Sequence, residues 1–106
     1  MNVTAWNNGS YKESGAGYGL KVSKSDRDQY FKREWGTILL ELEGYSTSVE
    51  VNIRKKSFWE GTCREMICKD IGLWLLQNGL APWPKRKPPK LYLVPKGGNK
   101  FFLKLP

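Results

Sequence analysis

The sequence predicts an α+β fold: a small, mainly antiparallel sheet carrying one short and one long helix. Three observations predict it. Residues 37–43 and 48–54 alternate apolar and polar side chains around Gly44-Tyr45-Ser46, the pattern of a hairpin with one dry and one wet face. Thr62-x-x-Glu65 reads as a capping box, and Asn78-Gly79 as the stop of the apolar-striped segment that follows. Residues 91–94 and 100–105 flank a glycine turn and read as a second hairpin. A chain of 106 residues, 40% apolar and 13% aromatic, fits one domain with a real core.

Val3 to Trp6 is short and β-prone, a first strand. Residues 7–17 follow as Asn-Asn-Gly-Ser-Tyr-Lys-Glu-Ser-Gly-Ala-Gly, a long glycine-rich loop of the kind that often carries function. Tyr18, Leu20 and Val22 share one face of a second strand. Ser23-Lys24-Ser25-Asp26 resembles a capping box, with Ser25-x-x-Asp28 as a second register, and a short helix follows over about 25–33, which Gly36 ends. In the hairpin, Ile38, Leu40 and Leu42 face one side, as do Val49, Val51 and Ile53 on its second strand. Residues 55–61 form a basic, aromatic connector. The long helix after it spans about 16 residues, with Met66, Ile67, Ile71, Trp74 and Leu75 in its apolar stripe and Arg64, Glu65, Lys69, Asp70 and Gln77 outside. Cys63 and Cys68 would sit roughly 140° apart on that helix, too divergent for a disulfide, and read as reduced, mostly buried thiols. Pro82, Pro84, Pro88 and Pro89 make residues 81–89 an extended connector that exposes Lys85-Arg86-Lys87.

Charge is distributed unevenly. The chain has 18 Lys and Arg against 10 Asp and Glu, a net of +8, and residues 80–106 hold seven basic groups and no acid. Such asymmetry points to a polyanionic partner, or to a solvated tail that keeps the chain soluble. Without histidine, Ser-His-Asp and Cys-His catalysis and His-based metal sites are excluded. No phosphate-loop or dinucleotide fingerprint is present, and no carboxylate cluster for magnesium is evident. The expectation is a non-enzyme without metal or cofactor. The N-terminus lacks the basic start and apolar run of a signal peptide, and no run of about 18 apolar residues exists. A cytoplasmic protein without membrane association is expected.

Three segments have the chemistry to bind a polyanion. In the first, Asn7 and Asn8 can pair with adenine, while Ser10, Tyr11 and Lys12 can hold phosphates; alternatively, the asparagines only serve turns. In the second, Arg54, Lys55 and Lys56 leave a strand end beside Ser57, Phe58 and Trp59. Trp59 can stack on a base or plug the core, and Phe58 reads as core. The third is Lys85, Arg86 and Lys87.

The order of elements, Tyr18-Gly19-Leu20-Lys21-Val22-Ser23-Lys24 with a helix ending Gln29-Tyr30-Phe31, Glu43-Gly44, and Phe58-Trp59 with the helix ending Asn78-Gly79-Leu80 resemble the DNA-binding pseudobarrel of the plant B-three transcription factors and of the effector domain in EcoRII-type restriction endonucleases. The chain departs from that family at Ala81-Pro82-Trp83-Pro84, where Gly-Asp is common. The resemblance implies two arms gripping the major groove of double-stranded DNA. By position these are residues 7–17 and 54–59, two of the three segments chosen on chemistry. Lys85, Arg86 and Lys87 have no role in the family and would add phosphate contacts. Two other readings stand beside duplex binding. One is a protein-interaction module or inhibitor, of phage or mobile-element type, docking an acidic partner through Leu80–Pro89. The other is a binder of single-stranded nucleic acid that stacks bases on Trp59 or Trp83.

Overall fold

A computed structural model describes all residues, 1–106. Seven strands form one sheet: β1 (Asn2–Asn7), β2 (Tyr18–Lys21), β3 (Thr37–Leu42), β4 (Val49–Asn52), β5 (Glu65–Ile67), β6 (Lys90–Gly97) and β7 (Lys100–Lys104). Their order across the sheet is β4-β3-β7-β6-β1-β2-β5, and every pairing is antiparallel except β3 with β7. The end strands β4 and β5 approach each other without pairing, so the sheet curls into a nearly closed barrel with one seam. Three helices accompany it: α1 (Lys24–Tyr30), α2 (Lys56–Glu60) and α3 (Lys69–Gln77). The expected α+β pseudobarrel is what the chain forms.

Alternation fixes which face is dry. Val3 and Ala5 of β1, Leu20 of β2, Ile38, Leu40 and Leu42 of β3, Leu91 and Leu93 of β6, and Phe101 and Leu103 of β7 point inward and are buried. They join Phe31, Phe58, Ile71, Trp74 and Leu75 in one cluster of 21 buried residues. Phe31 stacks on Phe101 at 4.8 Å between ring centres and meets Phe58 edge-on at 6.0 Å, so α1, α2 and β7 share one knot of aromatic contacts.

The N-cap of α1 is as the sequence indicates: the Ser23 hydroxyl accepts from the Asp26 amide at 3.1 Å. The helix stops at Tyr30, earlier than expected, and the chain continues through a 3₁₀ turn at Arg33–Trp35. Gly36 ends that turn at φ 69°, left-handed backbone that favours glycine, with the Arg54 guanidinium lying against it.

The long helix is the main correction. Residues 62–64 are irregular, Glu65–Ile67 is strand β5, and α3 is only nine residues long. The β2 backbone has an unpaired side, and Gly19, Leu20 and Lys21 pair there with Ile67, Met66 and Glu65. Satisfying that ladder outweighs the helical spacing of the apolar residues. Cys63 therefore lies exposed in an irregular segment and Cys68 precedes α3, half-buried; both are free thiols, and neither is on a helix face. Met66 is buried as expected, but Ile67 is 47% exposed and Glu65 is buried. The connector over 55–61 also contains a helix, α2, that its composition did not announce.

Candidate nucleic-acid interface

The first arm, residues 8–17, leaves β1 and returns into β2. Its asparagines organise the loop itself. Asn7 Oδ1 accepts from the Gly9 and Tyr11 amides at 2.7 and 3.1 Å. Asn8 Oδ1 accepts from the Ser10 amide at 3.1 Å and its hydroxyl at 2.7 Å. These are side-chain turns of the kind Asn favours. They leave Asn8, Ser10, Tyr11 and Lys12 exposed at the tip. Tyr11 sits at φ 48°, left-handed backbone that an aromatic residue rarely adopts. The base of the arm is held by α3: Gly15 and Gly72 approach so closely that a methyl on Gly72 would lie 2.6 Å from the Gly15 Cα.

Tyr11, Tyr18 and Trp83 form a triad of edge-to-face rings, with centres 5.4–6.0 Å apart. The triad ties the proline connector to the first arm. Just beyond Trp83, Lys85, Arg86 and Lys87 are exposed on a turn closed by the Lys87 amide and the Pro84 carbonyl at 2.9 Å. Arg86 has φ 64°; it and Tyr11 are the two non-glycine residues with positive φ. Beneath the triad, the Tyr18 hydroxyl and Asn7 Nδ2 are buried without partners. Burial, with Tyr11 alongside, pushes the Tyr18 phenol above its ordinary pKa.

The second arm, residues 53–64, joins β4 to β5 and contains α2. Arg27 of α1 anchors it. This guanidinium is buried, donates to the Phe58 carbonyl at 2.7 Å, pairs with Asp28 at 2.9 Å and lies 5.8 Å from the centre of the Trp59 ring. Trp59 is half-buried; its indole donates to the Ile53 carbonyl at 2.7 Å and its ring meets Phe58. Of the two roles open to Trp59, the core plug is the one its contacts describe. Phe58 is fully buried. Arg54, Lys55 and Lys56 are exposed, with Ser57 half-buried next to them. Glu60 takes Arg33 at 2.7 Å and Lys56 at 3.8 Å, whereas Arg54 and Lys55 make no ion pair. Both partial neutralisations are between exposed groups and weak.

Strand directions place the arms at opposite ends of β2 and β5: the first arm meets β2 at Tyr18, and the second enters β5 at Glu65, beside Lys21. Three strand rises, about 10 Å, separate those ends. Between them the seam opens as a cleft of about 180 Å³ lined by Asn52, Lys55, Glu65 and Ile67. Ile67 pairs in the ladder with Gly19, next to the residue where the first arm ends. The third segment, 85–87, lies with the first arm. Sequence reasoning missed Asn52 and Glu65 as cleft residues. Glu65 read as the wet side of a helix, and no signal short of the β2–β5 register reveals it.

Comparison with protein-family models, with curated proteins and with solved structures finds no match to this chain. No helix is long and apolar enough to cross a membrane.

Proposed function

We propose that this protein binds double-stranded DNA without catalysing a reaction on it, the two arms gripping from either end of the β2–β5–β4 face. The observation that carries the reading is the placing of the arms at the two ends of the β2–β5 ladder, the second with exposed cations beside the seam cleft and the first with an ordered, polar tip. The spacing of about 10 Å between the arm bases suits a major groove about 12 Å wide. Arg54 and Lys55 take phosphates or guanine edges, since neither is neutralised by an acid. Lys56 adds charge, shared with Glu60. Lys12, Ser10 and Asn8 position the duplex at the far end, and Lys85, Arg86 and Lys87 extend the same end with nonspecific attraction. Asn52 and Glu65 face the groove floor. A carboxylate there repels phosphate and accepts from the cytosine amino group, so Glu65 acts in choosing sequence rather than in adding affinity.

Titrating duplex binding against salt tests this. Binding at about 50 mM salt should weaken steeply, and Arg54→Gln with Lys55→Gln should reduce the log–log slope by about 0.9 per cation removed. Absence of binding to any duplex at that salt overturns the reading. The docking alternative gains nothing from Trp83, whose ring is engaged by Tyr11 and Tyr18.

A further inference from the structure

The central hairpin of the sheet has an outer face that the two arms do not use. On β6 the inward residues are Leu91 and Leu93, so Lys90, Tyr92 and Val94 point outward. On β7, Phe101 and Leu103 point inward, and Lys100, Phe102 and Lys104 outward. The register sets Tyr92 directly opposite Lys104, and Val94 opposite Phe102. On the other flank, Asn2 of β1 lies opposite Tyr92 and Thr4 opposite Lys90.

Tyr92 is 50% exposed, the most open of the large apolar side chains, and no other ring contacts it. Lys90, Lys100 and Lys104 are exposed and make no ion pair. β6, β7 and β1 have no acid; the neighbouring acids come from the β3 side, Glu41 opposite Phe102 and Glu43, whose carboxylate accepts from the Leu105 amide at 3.2 Å rather than pairing with Lys104. A half-exposed ring in the middle of a sheet leaves half of its surface unused by folding, and the unpaired lysines near it contribute nothing by pairing. The strand order puts β6 and β7 across the barrel from the β4–β5 seam.

We propose that the outer face of β6 and β7 binds single-stranded nucleic acid, a base stacking on Tyr92 while Lys90, Lys100 and Lys104 hold the phosphates on either side. An outward ring can stack only on a partner with an accessible flat face. A single strand offers unstacked bases, whereas a duplex buries those faces in its own stack. Alternate residues along a strand stand about 6.7 Å apart, so lysines and ring repeat along an extended polymer. Tyr92, Lys100 and Lys104 lie across the barrel from the seam, so a single strand held there leaves the seam cleft open to a duplex. This site does not depend on the duplex reading.

The experiment measures anisotropy of labelled oligo-dT and oligo-U, each about a dozen nucleotides, and of a labelled duplex, with the full chain at about 50 mM salt. The two single strands separate DNA from RNA as the natural ligand. Tyr92→Ala should weaken single-strand binding about tenfold and leave duplex binding unchanged, and Tyr92→Phe should bind like the parent. Replacing Lys90, Lys100 and Lys104 with Gln should lower the single-strand salt slope by about 0.7 each. Unchanged single-strand affinity in Tyr92→Ala overturns the proposal. So does loss of that affinity in the Arg54→Gln, Lys55→Gln variant instead, or equal binding of polyglutamate to parent and Tyr92→Ala.

Discussion

The Arg27 guanidinium donates to the Phe58 carbonyl oxygen at 2.7 Å from a position that is 5% exposed. A charge on α1 thereby fixes the backbone of α2. Arg27→Met keeps the aliphatic bulk and removes the donor, leaving a carbonyl unsatisfied beneath the aromatic knot. The expected loss is about 2–3 kcal/mol in urea unfolding, with faster amide exchange over 56–61 than elsewhere.

Gly72 should be as demanding, for a different reason. Gly72→Ala puts a methyl into the Gly15 backbone, so either the first arm or α3 must move. A cost of about 2 kcal/mol is expected, lowering the melting temperature by roughly 10 °C. Ala at Gly61, where the nearest atom to a methyl is 3.1 Å away, should cost less.

Stability should also fall at high pH, with a definite sign. The Tyr18 and Tyr45 phenols are both raised above their ordinary value, Tyr18 by burial and then by Tyr11, Tyr45 by burial and then by its 3.2 Å hydrogen bond to Asp70. Above about pH 10 the unfolded chain releases these protons while the folded chain keeps them, so stability present at neutral pH is lost as pH rises through the folded values. Tyr18→Phe should flatten that alkaline decline. At pH 7 it should be neutral or slightly stabilising, because the deleted hydroxyl has no partner. Chemical denaturation at pH 7 and above pH 10 checks both.

Trp83→Ala separates two views of the proline connector. Its ring clamps Tyr11 and Tyr18, so its removal should loosen the first arm and weaken duplex binding several-fold along with stability. Full duplex affinity in this variant would mark the triad as irrelevant to the arm.

Glu65→Gln should raise duplex affinity several-fold and reduce discrimination among sequences, since it removes a negative charge from the cleft while keeping its shape. Competition assays with duplexes of differing cytosine placement report it.

How much of this was legible in the chain depends on how locally each element is decided. The 37–54 hairpin was readable because alternation over six or seven residues records a dry and a wet face, and the turn residues agree with it. The Ser23 cap was readable because a cap is made within four residues. Strand β5 was not: three residues carry no period, and Glu65-Met66-Ile67 fit a helix stripe equally well until β2 needs a partner. The same limit hid Glu65, and it hid Arg27, which no local pattern marks as the anchor of α2. The arms were visible as glycine content and clustered cations. The seam between them depends on β4 and β5 meeting across the whole sheet.

The position of the last hairpin has a consequence for how the molecule is made. β6 and β7 lie in the middle of the sheet, joining β1 to β3, and the Met1 ammonium bonds the Leu93 carbonyl at 2.8 Å. Without residues 90–104, the remaining pairings are two separate sets, β3–β4 and β1–β2–β5, with nothing to join them. Closing them requires β6 to pair with β1 and β7 to pair with β3, contacts between segments far apart in sequence, of the kind that fold in milliseconds to seconds. Translation must therefore finish this stretch before the barrel can exist, and shortening the chain by one strand would divide the sheet rather than trim it.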